Sequence, residues 1–220
     1  MNFPLSPRFQ AVLFDMDGTL LDTLSDMQDA VNHILLENGW PQRTLEEIRA
    51  FVGNGAAKLM ERAIPEPIAP QRFHEILASY KDWYQAHNCV KTAPYPGIPE
   101  VLAELEKMGV KTAVVSNKPD ATTKALAEKF FPGMPALGQR DGVAPKPSPA
   151  LVAQALSDLD VRPENAVYVG DSEVDVATAR NAGLPLIAVS WGFRGREKLE
   201  IAGAEHIADT APQLLKMLCK

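Results

Sequence analysis

The sequence predicts an α/β protein in which a doubly wound parallel sheet carries an inserted all-helical segment. The apolar run at 9–15 lacks the polar alternation of a half-exposed strand, which is typical of a strand buried in a parallel sheet. Strands and helices alternate after residue 98, whereas residues 23–90 show helical periodicity and no convincing strand. The predicted boundaries are 1–22 and 93–220 for the core and 23–92 for the helical insert.

The first half of the chain predicts one strand followed by helices. The strand at 9–15 ends in Asp15 and runs into a turn that contains Gly18. Apolar residues at helical spacing from Leu24 to Leu35 predict the first helix, and Thr44 begins a second with a capping-box pattern. Further helices are predicted at 56–63 and 70–87, and a linker rich in Pro and Gly at 92–97.

The second half predicts a regular alternation of strands and helices. Strands are predicted at 111–116, 166–170 and 185–190, and helices at 99–108, 120–130, 148–159 and from the acidic segment after 170 to Ala182. Short elements are expected near Ile207 and Leu214. Ligands of such sheets bind beyond the carboxyl ends of the strands, so the polar residues that follow each strand are expected to form one site.

Composition restricts the class of protein. The chain has 220 residues and a formal net charge of −6, and 46% of its residues are hydrophobic and 23% charged. These values are typical of a globular protein large enough to bury a sizeable core. The acidic balance argues against a nucleic-acid binder that relies on a broad basic surface, but a local pocket can still attract a small anion.

Cysteine usage and hydropathy indicate a cytoplasmic protein. Cys89 and Cys219 lie far apart in the sequence and form no CxxC pattern, so neither a disulfide framework nor a structural zinc site is expected. No stretch approaches the roughly 18 apolar residues of a membrane span, and residues 1–8 lack the pattern of a signal peptide. We therefore expect a soluble protein with no membrane or nucleic-acid partner.

Asp15 and Asp17 are the strongest candidates for catalytic residues. Two carboxylates that follow a buried strand are costly unless they bind a cation or do chemistry. Asp15 is suited to attack phosphorus as a nucleophile, and Asp17 to protonate the leaving oxygen and later activate water. The alternative is a polar turn with a local side-chain hydrogen bond.

The segment Asp-Met-Asp-Gly-Thr at 15–19 resembles the signature of the haloacid dehalogenase superfamily of phosphatases. The resemblance covers nearly the whole chain and implies a Rossmann-like core with a small helical cap domain. It also implies a Mg²⁺-dependent reaction through an aspartyl-phosphate. The presence of both Asp15 and Asp17 favours a phosphatase or phosphomutase over a dehalogenase, which would not need the second acid.

The remaining family motifs have counterparts after later strands. Ser116, followed by Asn117, matches the motif that holds phosphate oxygens. Lys146, in the sequence Lys-Pro-Ser-Pro, matches the lysine that neutralises the phosphoryl group and keeps the nucleophile ionised. Lys118 is the second candidate for that lysine, because its sequence context is the weaker match.

The acidic segment 170–175 resembles the family's metal-binding motif. The resemblance implies a Mg²⁺ site built from Asp15, the main-chain carbonyl of Asp17, and Asp171. Asp175 is expected to act through a metal-bound water or through Lys146. Glu173 is expected to be a solvent-facing acid in the first turn of a helix.

The helical insert resembles the family's small cap, and residues 51–62 resemble the corresponding stretch of phosphoglycolate phosphatases. Gly53, Asn54 and Gly55 precede a helix and could present backbone N–H groups to a small anion, or form only a turn between two helices. Lys58 and Arg62 could reach a substrate carboxylate or lie in solvent.

These observations predict a Mg²⁺-dependent phosphatase for a small phosphorylated metabolite, with 2-phosphoglycolate as the first substrate to test. A phosphosugar phosphatase (for example for N-acetylmuramic acid 6-phosphate), a pyrophosphatase and a β-phosphoglucomutase are alternatives. A binding module without activity is disfavoured, because Asp15, Asp17, Lys146 and Asp171 are all present. The expected assembly is a monomer or homodimer.

Overall fold

The computed structural model describes residues 6–220. Residues 1–5 belong to the predicted core and to the segment considered for a signal peptide, and they lie outside the described residues. The chain forms two compact units. The core unit contains the described residues up to Leu21 together with Pro94–Lys220, and the helical unit contains Asp22–Ala93.

A parallel sheet of six strands forms the centre of the core unit, in the order β5-β4-β1-β6-β7-β8. The strands β2 and β3 form a separate two-stranded sheet. The bounds of the strands are β1 Ala11–Phe14, β2 Leu21–Asp22, β3 Ala93–Pro94, β4 Lys111–Pro119, β5 Ala136–Gln139, β6 Ala166–Gly170, β7 Leu186–Val189 and β8 Ile207–Ala208.

Strand β1 lies inside the sheet, and all four of its residues are apolar and buried, as expected for a central strand. It pairs in parallel with β4 on one side and with β6 on the other, so that Phe14 lies beside Val114 and Val169. The carboxyl ends of these three strands therefore meet at one edge of the sheet. This arrangement confirms the predicted doubly wound, parallel α/β core.

Helices pack against the sheet through apolar stripes. Helix α5, for example, buries Ile98, Val101 and Leu105, which lie on one face at a spacing of three to four residues. The bounds of the helices are α1 Leu24–Glu37, α2 Leu45–Phe51, α3 Gly55–Ala63, α4 Pro70–His87, α5 Ile98–Lys107, α6 Asp120–Phe130, α7 Ala150–Asp158, α8 Glu173–Ala182, α9 Gly195–Ile201 and α10 Ala211–Leu218. Within residues 6–220, none of these helices is both long and apolar enough to cross a membrane.

The helical unit consists mainly of α1–α4. Helix α2 begins with the predicted capping box, in which the Thr44 hydroxyl accepts the N–H of Glu47 and the Glu47 carboxylate accepts the N–H of Thr44. Asp26, on α1, is buried and accepts hydrogen bonds from the backbone N–H groups of Val90, Lys91 and Thr92. The Asp26 carboxylate therefore fixes residues 90–92, at the end of the helical unit, against its first helix.

The main differences from the prediction within the core unit concern three elements. Strand β4 continues to Pro119 rather than ending at Ser116, so Asn117 and Lys118 lie within its last residues rather than after it. Strand β5 was not predicted, because its four residues include a glycine and pairing with β4 alone defines it. Helix α9 was not predicted either, because it has only seven residues and buries only Leu199.

Candidate active site

Asp15 lies at the carboxyl end of β1, where the backbone is fixed by the hydrogen bond from its N–H to the carbonyl oxygen of Val169 at 2.8 Å. Its side chain is buried. The two described contacts of the carboxylate both fall on Oδ1, which accepts the N–H of Met16 at 2.7 Å and lies 2.9 Å from Lys146 Nζ. The carboxylate is therefore held through one oxygen.

Lys146 lies between two carboxylates and is almost completely buried, with 2% of its side chain exposed. Its Nζ is 2.9 Å from Asp15 Oδ1, 2.8 Å from Asp175 Oδ1 and 3.1 Å from the Tyr168 hydroxyl. The amide of Asn117 fixes its backbone, since Oδ1 accepts the N–H of Lys146 and Nδ2 donates to its carbonyl oxygen. Asn117, predicted to bind phosphate, is thus engaged in positioning the lysine.

Asp171 follows β6 and is also buried. Its Oδ2 accepts the backbone N–H of Phe193 at 2.7 Å, and its Oδ1 accepts the Thr19 hydroxyl at 3.3 Å. Two elements that are distant in sequence, the turn after β1 and the loop after β7, therefore orient this carboxylate.

Asp175 lies in the first turn of α8 and is fully buried. Its Oδ2 accepts the N–H and the hydroxyl of Ser172, which completes a capping box at the start of the helix. Its Oδ1 accepts from Lys146 and from the Tyr168 hydroxyl. Because donors occupy both oxygens, Asp175 is better placed to orient Lys146 than to bind a ligand directly.

One carboxylate oxygen from each of Asp15, Asp171 and Asp175 lies within 4.8 Å of the other two. Burial, with the neighbouring Asp175 and Asp17 charges, raises the pKa of Asp15 to about 7 despite the opposing effect of Lys146. Burial and the charges of Asp175 and Asp15 raise the pKa of Asp171 well above its usual value. The cluster therefore has more negative charge than Lys146 balances.

The site fits a hard divalent cation such as Mg²⁺, because its donors are oxygen atoms and its excess charge is negative. Asp15 and Asp171 are the residues that would hold it. The side chain of Asp17 is not part of the carboxylate cluster, and its expected contribution, the main-chain carbonyl, stays a prediction. The cation would also offset the burial that raises the pKa values of Asp15 and Asp171.

Lys146 keeps its charge in this site. Burial alone would lower the pKa of the ammonium group, but the adjacent carboxylates of Asp15 and Asp175 raise it well above its usual value. The lysine is therefore a permanent positive charge beside Asp15, as its sequence context predicts.

Two glycines allow the loops to approach Asp171. Gly18 has a φ of +85°, and a methyl group on its Cα would lie 2.4 Å from Asp171 Oδ2. A methyl group on Gly192 would lie 2.4 Å from the same oxygen and from the carbonyl oxygen of Gly18. Side chains at either position would displace the carboxylate, so the close approach requires glycine.

Asp17 and Lys118 form a second ion pair, in which the lysine is buried and the aspartate is partly exposed. Lys118 Nζ lies 2.9 Å from Oδ1 and 3.1 Å from Oδ2 of Asp17. The neighbouring Ser116 is buried, and its hydroxyl accepts the N–H of Lys118 at 3.1 Å. The two candidate lysines thus have different partners, since Lys146 contacts Asp15 and Lys118 contacts Asp17.

In the helical unit, the segment of Gly53, Asn54 and Gly55 precedes α3. The guanidinium of Arg62 donates to the carbonyl oxygen of Phe51 at 2.6 Å and to Asn54 Oδ1 at 3.0 Å, so it holds this turn in place. Lys58 pairs with Glu61 at 2.6 Å in an exposed position. The predicted anion-binding role of the turn stays a prediction.

Sequence reasoning missed several residues that shape the site. The sequence pattern places Tyr168 only within an apolar strand, whereas in the structure its hydroxyl contacts Lys146 and Asp175. A tyrosine within an otherwise aliphatic buried strand is a usable signal, because its hydroxyl needs a partner. Glu173 is not simply a solvent-facing acid, since Arg194 donates to it at 2.8 Å and helps to hold its pKa below the usual range despite partial burial.

Comparisons with known proteins agree with this geometry. The model of the haloacid dehalogenase-like hydrolase family matches residues 12–189. A phosphoglycolate phosphatase of Caulobacter vibrioides is 35% identical over 204 residues, which are 89% of this chain and 85% of the relative. An N-acetylmuramic acid 6-phosphate phosphatase of Pseudomonas aeruginosa is 32% identical over 215 residues, covering 96% of this chain and 95% of the relative.

A solved structure from Lactobacillus delbrueckii subsp. bulgaricus, described as a candidate phosphoglycolate phosphatase, superposes with a TM-score of 0.90. Its sequence is 36% identical, and the match covers 96% of this chain and 99% of that chain. The matched residues include β4, β6 and β7 and all of β1 except its first residue, and they contain the clustered carboxylates and both lysines. The chain therefore belongs to the haloacid dehalogenase-like hydrolases.

Proposed function

We propose that this protein is a Mg²⁺-dependent phosphatase that hydrolyses a small phosphomonoester through an aspartyl-phosphate, with 2-phosphoglycolate as the expected substrate. One observation carries the proposal: Asp15 is fixed through Oδ1 by Met16 and Lys146, beside Asp171 in a cluster that needs a cation. This arrangement supports Oδ2 of Asp15 as the attacking oxygen.

In the first step, Asp15 Oδ2 forms a bond to phosphorus while the ester P–O bond breaks. The leaving oxygen takes the electron pair of that bond and a proton from the carboxyl group of Asp17. Lys146 keeps its positive charge beside Asp15 and stabilises the negative charge of the phosphoryl oxygens. Ser116 is the proposed donor to one of these oxygens.

In the second step, water attacks the phosphorus of the aspartyl-phosphate and gives a proton to Asp17. The bond between phosphorus and Asp15 breaks, and inorganic phosphate leaves. Asp15 and Asp171 would hold a Mg²⁺ ion, which when bound would neutralise phosphoryl charge. Asp175 maintains Lys146 in position through the 2.8 Å contact.

The choice of substrate is supported by the relatives. Similar proteins from Caulobacter vibrioides and Pseudomonas putida carry the name phosphoglycolate phosphatase, and one from Pseudomonas aeruginosa carries the name N-acetylmuramic acid 6-phosphate phosphatase. The second substrate is therefore the first alternative, and pyrophosphate and β-glucose 1-phosphate complete the panel. We also propose residues 23–92 as the cap domain, which the observed unit Asp22–Ala93 supports, and a monomer or homodimer in the cytoplasm.

The first experiment measures phosphate release with Mg²⁺ and with EDTA, for the wild type and for D15N. The proposal requires activity that depends on the metal and a loss of at least about 10³-fold in D15N. D158N is the matched control, because Asp158 is an exposed aspartate at the end of α7. Wild-type activity in D15N would refute the nucleophile.

A second experiment separates the two steps. D17N should form the phosphoenzyme, trapped by acid quench with labelled substrate, faster than it turns over. Equal losses in both quantities would contradict the acid and base role of Asp17. Comparison of kcat/KM over the four substrates then tests the substrate, and no preference for 2-phosphoglycolate over the sugar phosphates would exclude that choice.

A further inference from the structure

Lys118 has no role in the reaction described above, although it lies in the core unit beside the proposed acid and base. Its side chain is 3% exposed, and its ammonium group contacts both carboxylate oxygens of Asp17, at 2.9 and 3.1 Å. Most lysine side chains lie in solvent, whereas that of Lys118 is buried in the core unit. Asp17 is an anionic partner of this cation.

This pairing conflicts with the task proposed for Asp17. Both carboxylate oxygens of Asp17 accept from the ammonium group of Lys118, so the lysine competes with a leaving group for each of them. Proton transfer requires a hydrogen bond between Asp17 and the leaving oxygen. The ammonium group therefore has to move away from Asp17, and a buried lysine needs another anion when it does so.

A substrate can supply that anion. A leaving oxygen that forms a hydrogen bond with Asp17 would lie within roughly 6 Å of Lys118 Nζ, because the lysine and the leaving oxygen would each be about 3 Å from the carboxylate. The carboxylate of 2-phosphoglycolate is separated from its ester oxygen by a single carbon atom, so one ammonium group can reach it from this position. In pyrophosphate, the leaving group itself carries the charge.

We propose that Lys118 is a specificity-determining and positioning residue that binds a second anionic group on the substrate's leaving group, and that its transfer from Asp17 to this group releases Asp17 for proton transfer. The inference rests on the proposed phosphatase function and specifies its substrate class. That class is small phosphoesters with a carboxylate or phosphate close to the ester oxygen. After the exchange, the carboxyl group of Asp17 can form a hydrogen bond with the leaving oxygen.

The test compares 2-phosphoglycolate with ethyl phosphate, in which a methyl group replaces the carboxylate. Both are assayed with Mg²⁺ on the wild type, K118M and K118R. K118M should lower kcat/KM for 2-phosphoglycolate at least about 30-fold more than for ethyl phosphate. K118R should recover part of that difference, because it restores a positive charge. The intrinsic reactivity of the two esters cancels in this ratio.

K107M is the matched control, because Lys107 is exposed on α5 and pairs with Glu104 at the surface. Equal losses on both substrates in K118M, or no loss on either, would overturn the inference and leave the proposed function intact. Should K118M not fold, a wild type that hydrolyses the two esters within about threefold of each other would overturn it. Retained activity in D15N would instead refute the proposed function.

Discussion

Replacing Lys146 with Met tests the electrostatic balance of the site most directly. The substitution keeps most of the buried stem and removes the ammonium group from between Asp15 and Asp175, to which it is 2.9 and 2.8 Å distant. Both carboxylates then remain buried without the cation. Removing one partner of a buried ion pair costs about 3–5 kcal/mol. For a chain of this size, that corresponds to a fall in Tm of roughly 10 °C or more.

The assay is urea unfolding of the metal-free protein, followed by circular dichroism. D175N and the double variant K146M/D175N complete a double-mutant cycle. Because Asp175 contributes much of the uncompensated charge in K146M, the double variant should lose less than the sum of the single variants, by about 2 kcal/mol.

K107M is again the control. The pair of Lys107 and Glu104 is 2.6 Å apart, but its side chains are 69% and 43% exposed, so its loss should cost less than about 0.5 kcal/mol. A loss in K146M as small as in K107M, or additive effects in the cycle, would show that Lys146 does not balance the buried carboxylates.

Three further predictions concern metal binding and the anchors of each unit. The pKa of Asp15 is raised to about 7 in the folded protein. Between about pH 4 and about pH 7 the folded protein therefore keeps a proton on Asp15 that the unfolded chain releases. The metal-free protein should lose stability as the pH rises through this range. The Tm increase caused by a fixed Mg²⁺ concentration should therefore be larger at about pH 8 than at about pH 6, and a scanning fluorimetry titration with no such trend would contradict this. G192A should weaken Mg²⁺ binding at least about tenfold in calorimetry by displacing Asp171, whereas G133A, with no atom near its added methyl group, should not. D26N should lower the free energy of unfolding by about 2–3 kcal/mol in urea titrations, because an amide cannot accept all the backbone N–H groups. D29N is the control: Asp29 is partly exposed and pairs with the side chain of Lys91, so its loss should cost less than about 1 kcal/mol.

The sequence alone determined the elements that carry the chemistry. The apolar run before Asp15 has no polar face, so it predicts a strand at the centre of a sheet. The alternation of strands and helices later in the chain predicts that this sheet is parallel. Parallel strands place their carboxyl ends at one edge, so Asp15 and Asp171 had to come together. The family followed from the same motifs, because those of Asp15, Ser116 and Asp171 occur at or just after the ends of predicted strands.

Pairing between side chains that are distant in sequence was decided only by the tertiary structure. The motif context of Lys146 predicted its place beside Asp15, but no local pattern indicates that Lys118 reaches Asp17 or that Asn117 brackets the backbone of Lys146. Strand β5 was beyond sequence reasoning for a similar reason, since only its neighbour defines it. Local periodicity in the sequence determines which face of a helix or strand is buried. The partner of a buried charged side chain depends instead on which other side chains the completed sheet brings within hydrogen-bond distance of it, about 3 Å.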